Sequence, residues 1–296
     1  MDALQLVLAA TDFSPDSRLA ARRAARIAAS QGAALGLLHV VDAGGWLALR
    51  DLLASRRELK PAVLEQARIQ LAVQAQQLLD EGHARAVHQD LREGDPLQQL
   101  LGQARTADLL VIGAHGSHAP RDLALGTLAD RLSRSAERPL LVVRNEPAAE
   151  YRQVLVPVDY SDASREAVRA AQRVAPAAAL HLLHAYDLAE EGKLLTAGVS
   201  DEAIAAHREQ RRWEAQAGMD ALVADLGPGA RASATVCPGD IRMVMLEVAR
   251  DRGCDLIALG KQGQSRLGDL FLGSVTVWAL EHAQADVLVV PRSAQG

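Results

Sequence analysis

Apolar runs of strand length alternate along the chain with longer stretches whose apolar residues recur at helical spacing. Ser14 and Pro15 are N-terminal signals for the first helix, and Gly32 is its C-terminal signal. The strands predicted in the first half are Gln5–Ala10, Ala34–Val41, Ala84–Leu91, Asp108–Ile112 and Leu140–Val143. The helices predicted between them are Pro15–Gln31, Glu58–Glu81, Pro96–Arg105 and Thr127–Ala136.

The second half repeats this series of elements. Its predicted strands are Gln153–Val158, Ala178–Ala185, Arg231–Val236, Asp255–Leu259 and Asp286–Val290. A long helix is predicted around Asp201–Leu226, where Gly227-Pro228-Gly229 would end it. Strict alternation of strands and helices predicts an α/β fold, with a parallel sheet covered by helices on both faces.

An internal repeat explains this doubling. Four sets of residues return in the same order, and Asp159 follows Asp12 by 147 positions (159 − 12). The matched sets are Asp12 and Asp159, Leu38-His39 and Leu183-His184, Gly94-Asp95 and Gly239-Asp240, and Gly113, Gly116 and Gly126 with Gly260, Gly263 and Gly273. We therefore predict two tandem doubly wound, Rossmann-like domains over residues 1–146 and 150–296, with Asn145–Tyr151 as the linker. Each would hold a five-stranded parallel sheet in the order 3-2-1-4-5.

Composition narrows the class of protein. Aromatic residues are only 3% of the chain, so the core must consist of aliphatic side chains and alanine. The net charge of −5 argues against a dedicated nucleic-acid binder. The chain shows neither a secretory signal nor an apolar run near the ~20 residues of a membrane span, which favours the cytoplasm. The two cysteines, Cys237 and Cys254, indicate no disulfide framework.

The candidate chemistry lies where the strand order reverses, because ligands of open α/β sheets bind there. Asp12 and Asp159 end the first strands, and a G-x2-G-x9-G-[ST] loop follows each fourth strand. Glycines let backbone N–H groups approach phosphate oxygens, and the Thr127 or Ser274 hydroxyl stands at a helix N-terminus that favours anions. Each aspartate would accept hydrogen bonds from ribose hydroxyls, cap the following helix, or do both.

On these motifs the chain resembles a tandem universal stress protein of the ATP-binding kind, over almost the whole of both halves. The resemblance implies ATP, or ADP or AMP in its place, with Mg²⁺ as a companion ion. It also implies pairing through the last strands, Leu140–Val143 and Val287–Val290, as an intramolecular pseudo-dimer or a homodimer. The implied nucleotide-binding residues are Asp12, Val40, Gly113, Gly116, Gly126 and Thr127, and in the second half Asp159, Ala185, Gly260, Gly263, Gly273 and Ser274. In this scheme the backbone of Val40 or Ala185 contacts adenine. The aspartates, with Gly113 or Gly260, lie by the ribose. The other two glycines of each loop and the hydroxyl residue after them bind phosphates.

Some residues depart from the family pattern. Thr127 replaces the commoner serine and keeps its hydroxyl. Ala185-Tyr186 differs from Val40-Val41 and would reshape the second adenine pocket. Trp278, in the helix after the second loop, would alter the packing there.

Other polar residues near the loops have competing interpretations. His39 and His184, at strand ends, are predicted to hydrogen-bond to backbone rather than to act in catalysis. His115 and His118 are spaced for a metal, but no third ligand is evident, which favours a solvated or phosphate-neighbouring role. Arg121, Lys261 and Arg266 would either screen phosphate charge or occupy ordinary surface positions. The charged stretch His207–Glu214 is predicted to be a solvated helix face.

Three functions compete on this evidence. The leading hypothesis is an ATP-binding regulator in stress response or signalling. The second is an enzyme that hydrolyses ATP or transfers from it, although neither G-x4-G-K-[ST] nor G-x-S-x-G is present. The third is a partner-binding scaffold in which one or both nucleotide sites are silent.

Overall fold

The computed structural model describes residues 3–42, 59–117, 125–186, 199–227, 229–263 and 271–292. Its strands are β1 (Leu6–Ala10), β2 (Ala34–Asp42), β3 (His88–Gly94), β4 (Leu109–Gly113), β5 (Leu140–Val143), β6 (Gln153–Pro157), β7 (Ala179–Tyr186), β8 (Ala232–Pro238), β9 (Leu256–Gly260) and β10 (Asp286–Val290). Its helices are α1 (Pro15–Gln31), α2 (Leu59–Asp80), α3 (Pro96–Ala104), α4 (Thr127–Ser135), α5 (Asp162–Val174), α6 (Asp201–Ala224), α7 (Ile241–Asp251) and α8 (Ser274–His282).

These strands form one ten-stranded sheet in the order β3-β2-β1-β4-β5-β10-β9-β6-β7-β8. The fold-class prediction is confirmed, because each half has the parallel order 3-2-1-4-5. The halves meet where β10 runs antiparallel to β5, with Val287 opposite Val142 and Val289 opposite Leu140. Two half-sheets therefore become one continuous sheet.

Helices cover both faces of this sheet, as the alternating pattern predicts. α1, α2, α5 and α6 pack on one face, where the core includes Ala24, Leu71 and Met219. α3, α4, α7 and α8 pack on the other, where it includes Leu132 and Met245. Alanine is abundant in α1 because its buried face lies against the sheet, where a larger side chain would hold the helix away.

Local signals set the ends of the first helix. The Ser14 side chain accepts a hydrogen bond from the Ser17 N–H, and Pro15 follows at the first helical position. Gly32 ends the helix with φ of 70°, a conformation that favours glycine. All three predictions are confirmed.

The third strand differs from its prediction. Ala84–Leu91 was expected, but β3 covers His88–Gly94. Pairing with β2 sets these bounds, because His88 lies opposite Gly36 and Gly94 opposite Asp42. The apolar residues before His88 precede this ladder, and the edge strand itself is largely polar, so hydrophobicity placed it too early.

A buried carboxylate joins the linker to the last strand. Asp286, at the start of β10, is fully buried and accepts hydrogen bonds from the backbone N–H groups of Arg144 and Asn145 at 2.8 and 3.2 Å. The Tyr151 hydroxyl donates to its other oxygen at 2.6 Å, and the Arg23 Nε lies 3.4 Å from that oxygen. Burial raises the pKa of Asp286 by more than these hydrogen bonds and Arg23 lower it.

The surface of α6 is strongly charged. The charged residues of His207–Glu214 lie on α6 and are mostly exposed, as predicted, and Trp213 among them is 71% exposed. None of the helices that the structure describes is long and apolar enough to cross a membrane.

Candidate functional site

The carboxyl ends of β1 and β4 lie side by side at the reversal of strand order in the first half. A cavity of about 900 Å³ opens there. Its volume lies within the range of pockets that hold small organic ligands. All six first-half residues that the sequence singles out line it, namely Asp12, Val40, Gly113, Gly116, Gly126 and Thr127.

The glycine loop folds back on its own beginning. The Gly126 N–H donates to the Ala114 carbonyl at 2.8 Å, and Gly273 makes the same bond to Lys261. A Cβ on Gly126 would lie 3.1 Å from the Ala114 oxygen, whereas a Cβ on Gly273 would lie 3.5 Å from the Lys261 oxygen. The closing hydrogen bonds are equally long, but a side chain at the glycine would be more crowded in the first loop than in the second.

The helices after the two loops begin without a side-chain cap. α4 has Gly126 as its N-cap and α8 has Gly273, and neither can supply an acceptor for the first-turn N–H groups. By contrast, the N-caps of α1, α3, α5, α6 and α7 accept through their side chains, as Ser14, Asp95, Ser161, Ser200 and Asp240. Uncapped N–H groups beside a cavity are suited to an anionic ligand.

The Asp12 carboxylate connects the end of β1 to the glycine loop. It accepts the Ser14 N–H at 3.1 Å and the Ser117 N–H at 2.5 Å, and a Cβ on Gly116 would lie 2.9 Å from it. Burial raises the pKa of Asp12, but hydrogen bonds from Ser14 and Ser117 outweigh it, so the pKa is lowered and the carboxylate stays ionised. Ser14, not Asp12, is the helix N-cap, which decides against direct capping by this aspartate.

In the second half, Asp159 lies against its glycine loop in the same way. Asp159 accepts the Ser161 N–H at 3.1 Å, and a Cβ on Gly263 would lie 2.8 Å from its carboxylate. Gly273 faces Gly263, since its Cβ would lie 3.7 Å from the Gly263 nitrogen. Among the other predicted residues, Gly260 ends β9, Ser274 begins α8, and Ala185 lies on β7 opposite Cys237 of β8.

Gly113 and Gly260 are required by helix packing. A Cβ on Gly113 would lie 2.6 Å from the carbonyl carbon of Asp16 in α1. One on Gly260 would lie 3.0 Å from that of Ala163 in α5. The 2.6 Å contact with backbone excludes a side chain at Gly113, and the 3.0 Å contact leaves one at Gly260 crowded, so glycine lets the first helix of each half approach the end of the fourth strand.

An aromatic residue after each aspartate was not singled out in the sequence. Phe13 and Tyr160 both have φ of 65°, which is rare for bulky residues. Their rings lie 4.3 and 4.4 Å from those of His39 and His184. The signal was available, since only 3% of the chain is aromatic and yet both copies place an aromatic residue at this position.

The strand-end histidines bond to backbone, as predicted. His39 Nδ1 lies 2.7 Å from the Thr11 carbonyl oxygen, and His184 Nδ1 lies 2.8 Å from that of Val158. Since a carbonyl only accepts, Nδ1 carries the proton. Burial lowers the pKa of both histidines more than these bonds raise it.

A histidine–aspartate pair lies at the loop of the first half. The Asp16 Oδ2 accepts the His115 backbone N–H at 3.1 Å and lies 2.9 Å from His115 Nδ1. Sequence reasoning singled out His115 but missed Asp16, which is distant along the chain. His118 lies outside the described residues, and those residues contain no group of three His, Cys, Asp or Glu placed to hold a metal.

Two second-half residues that the sequence singled out have defined contacts. The buried Lys261 directs its Nζ to the Ala136 carbonyl of the other half, at 3.5 Å, which argues against phosphate screening by this residue. Trp278 stacks on His282 within α8, with ring centroids 3.8 Å apart, and its effect on packing relative to the family pattern stays a prediction. Arg121 and Arg266 lie outside the described residues.

The comparisons with known proteins agree over nearly the whole chain. The model of the universal stress protein family matches residues 4–144 and again residues 150–291. A universal stress protein of Mycolicibacterium smegmatis (strain ATCC 700084 / mc(2)155) is 25% identical over 294 residues, covering 96% of each chain. One of Mycobacterium tuberculosis (strain ATCC 25618 / H37Rv) is 26% identical over 305 residues, covering 97% of this chain and 96% of the relative.

A solved structure supports the fold. The crystal structure of a universal stress protein from Archaeoglobus fulgidus DSM 4304 superposes with a TM-score of 0.65 at 16% sequence identity. The match covers 97% of this chain and 98% of the other, so the likeness extends through both halves.

Proposed function

Because the chain belongs to the universal stress protein family, we propose that it is an adenine-nucleotide-binding regulator in stress response or signalling. The observation that carries the proposal is the first-half cavity, where an uncapped helix N-terminus and a glycine loop face one crevice. ATP is the proposed ligand, with ADP or AMP as alternatives and Mg²⁺ accompanying the phosphates. The proposed domains are residues 1–146 and 150–296.

Each part of the cavity suits one part of the nucleotide. The first-turn N–H groups of α4, with Gly116, Gly126 and Thr127, would bind phosphates. Asp12 would accept ribose hydroxyls, because a carboxylate has about four acceptor positions and its two hydrogen bonds to backbone N–H groups leave others. The backbone of Val40, among the apolar side chains that line the cavity, would meet adenine.

The apolar walls are needed on energetic grounds. A helix N-terminus contributes about 0.3–1 kcal/mol at an exposed position and up to about 2 kcal/mol when partly buried. Micromolar binding corresponds to about 8 kcal/mol. Base and ribose contacts must therefore supply most of the free energy, and Val40, Val63 and Leu128 provide accessible apolar surface for them.

The joint between the halves offers a route for regulation. At its start each glycine loop is hydrogen-bonded to a junction strand: the Ala114 N–H donates to the Val143 carbonyl of β5, and the Lys261 N–H donates to the Val290 carbonyl of β10. We propose that the antiparallel β5–β10 pair makes the chain an intramolecular pseudo-dimer. A nucleotide that reorders a loop would then act on the strands that join the halves, and through them on a partner.

The second half would bind nucleotide less well, through Asp159, Ala185, Gly260, Gly263, Gly273 and Ser274. Its frame matches the first, but Tyr186 is buried where Val41 lines the first cavity. The larger side chain leaves less room for a base.

The test is to identify the nucleotide released when the purified protein is denatured. We expect an adenine nucleotide from the wild type and from Gly263→Val with Gly273→Val, and little from Gly116→Val with Gly126→Val. The first-loop variant should also lose the ATP-dependent rise in melting temperature, which corresponds to about 2.7 kcal/mol at 100 times Kd. Circular dichroism controls for folding. No released nucleotide and no ATP-dependent rise in the wild type would support the scaffold hypothesis instead.

A further inference from the structure

The side chains of Asp16 and His115 form a pair at the phosphate end of the first cavity. His115 lines the cavity next to Gly116 and Ser117, and Asp16 lies in the first turn of α1. Both side chains are about one-third exposed, at 30% for His115 and 32% for Asp16. They are therefore accessible from the crevice and still held by the fold.

Asp16 sets the tautomer of the imidazole. An ionised carboxylate only accepts hydrogen bonds, so its contact with His115 Nδ1 at 2.9 Å requires the proton on Nδ1. In the neutral ring the lone pair then lies on Nε2. The second bond, from the His115 backbone N–H to the same carboxylate oxygen, fixes the loop residue as well as the ring.

We propose that His115 is the general base for hydrolysis of the terminal phosphoanhydride of a nucleoside triphosphate in this cavity, with Asp16 as its positioning residue. The inference rests on the proposed nucleotide binding and adds an activity to it. Water forms a bond to the terminal phosphorus while the bond from phosphorus to the bridging oxygen breaks, and Nε2 takes the proton of the water. Asp16 stabilises the imidazolium, which then releases its proton to solvent. The products are the nucleoside diphosphate and inorganic phosphate.

The second half provides an internal contrast. Ala163 stands in place of Asp16, and Gln262 in place of His115. The Gln262 side-chain amide donates to the Phe271 carbonyl at 2.9 Å, and an amide cannot accept a proton near neutral pH. Any nucleotide bound in the second half would therefore persist without turnover.

The experiment combines phosphate release with direct binding, using the full chain, ATP and Mg²⁺. His115→Gln, which installs the residue of the second half, should lower kcat about 100-fold or more, the range of general acid–base catalysis. The dissociation constant for a non-hydrolysable ATP analogue should change less than about threefold. Asp16→Asn keeps an acceptor for the backbone N–H but removes the negative charge, so kcat should fall at least tenfold. The matched control is His88→Gln on β3, an exposed histidine away from the cavity, which should leave both quantities unchanged.

Two further readouts separate chemistry from loop structure. The pH profile of phosphate release should differ between the wild type and His115→Gln, because the variant lacks the proposed base. Nitrogen NMR of labelled histidine should show His115 with the proton on Nδ1, and Asp16→Asn should weaken that preference.

The possible failures are distinguishable. A wild type that binds ATP but releases no phosphate, or a His115→Gln variant as fast as wild type, would overturn the inference and leave the binding proposal intact. A wild type that binds no nucleotide would overturn both.

Discussion

The two glycine loops have the same backbone frame but different side chains beside it. In both, an aspartate lies against the loop and a glycine begins an uncapped helix. The first carries His115 beside Asp16, whereas the second carries Gln262 beside Ala163. Both copies have this backbone geometry, and only the first has the titratable pair. A shared loop motif therefore predicts a shared shape and leaves function to individual side chains.

The junction shows a second asymmetry. Asp286 at the start of β10 corresponds to Pro139, just before β5. The Asp286 carboxylate accepts hydrogen bonds from the Arg144 and Asn145 backbone N–H groups and from the Tyr151 hydroxyl, and it pairs with Arg23. A proline side chain has no acceptor and could make none of these contacts. This network ties the first half and the linker to the last strand of the second half.

The largest expected effect is at this network. Asp286→Ala would leave two backbone N–H groups and the Tyr151 hydroxyl without their acceptor, and the buried Arg23 without its counter-ion. Breaking a buried pair costs about 3–5 kcal/mol, and we expect a loss of that size in the free energy of unfolding, measured by urea titration. Tyr151→Phe, which removes one bond, should cost about 1–2 kcal/mol.

An exposed aspartate is the control for that measurement. Asp251 pairs with Arg250 at the surface, with side chains 68% and 73% exposed. Asp251→Ala should change the free energy of unfolding by no more than about 0.5 kcal/mol. If Asp286→Ala were equally mild, the junction would depend on the β5–β10 pairing alone.

An intermediate effect should appear with pH, because the halves also differ in their cores. His181 on β7 is 2% exposed and corresponds to Gly36 of the first half. Its Nδ1 lies 2.7 Å from the Ser233 hydroxyl oxygen, and its buried Nε2 has no hydrogen-bond partner among the described residues. Burial, assisted by the charge of Arg252, lowers the pKa of His181 to about 4.

The sign of the pH effect follows from that lowered pKa. Between about pH 6.5 and pH 4 the unfolded chain binds a proton that the folded chain does not, so acidification destabilises the fold. From pH 7 to pH 5 this histidine should remove about 2 kcal/mol of stability. His181→Gln should reduce the difference between urea titrations at the two pH values, whereas His88→Gln should leave it at the wild-type size. An unchanged difference in His181→Gln would show that the acid sensitivity lies elsewhere.

Much of the fold could be predicted because it depends on repeated, local signals. The apolar periodicity gave the alternation of elements, and the cap residues Ser14 and Gly32 gave the ends of α1. The edge strand β3 was placed too early because its bounds depend on pairing with β2, a non-local contact that hydrophobicity does not record.

The location of the site could be predicted from the sequence, but several of its side-chain contacts could not. Asp12 and the glycines follow strand ends, so topology alone brings them to one cavity. Asp16 was missed because only the fold brings it to His115. For Lys261 the sequence left phosphate screening and an ordinary surface position open, and its side chain instead extends across the junction to Ala136. The nucleotide-binding roles themselves remain predictions.

The smallest expected effect compares the two loop closures directly. Gly126→Ala and Gly273→Ala place the same methyl group at the same N-cap position, so the intrinsic cost of alanine there is common to both. At Gly126 the methyl would lie 3.1 Å from the Ala114 oxygen and 3.3 Å from the His115 Cα, so the loop must shift. At Gly273 the nearest atom lies at 3.5 Å, an ordinary contact.

We therefore expect Gly126→Ala to lower the free energy of unfolding by about 1 kcal/mol more than Gly273→Ala, in urea titrations at neutral pH. Each variant is the control for the other. The difference between their unfolding free energies therefore reports the steric crowding at Gly126, because the cost of alanine at the N-cap is common to both. The methyl would also press on His115, so Gly126→Ala should slow phosphate release if the pair with Asp16 acts as proposed, and Gly273→Ala should not. Equal destabilisation by the two variants would mean that the methyl group is equally crowded in the two loops, and that the functional contrast between the halves lies in their side chains alone.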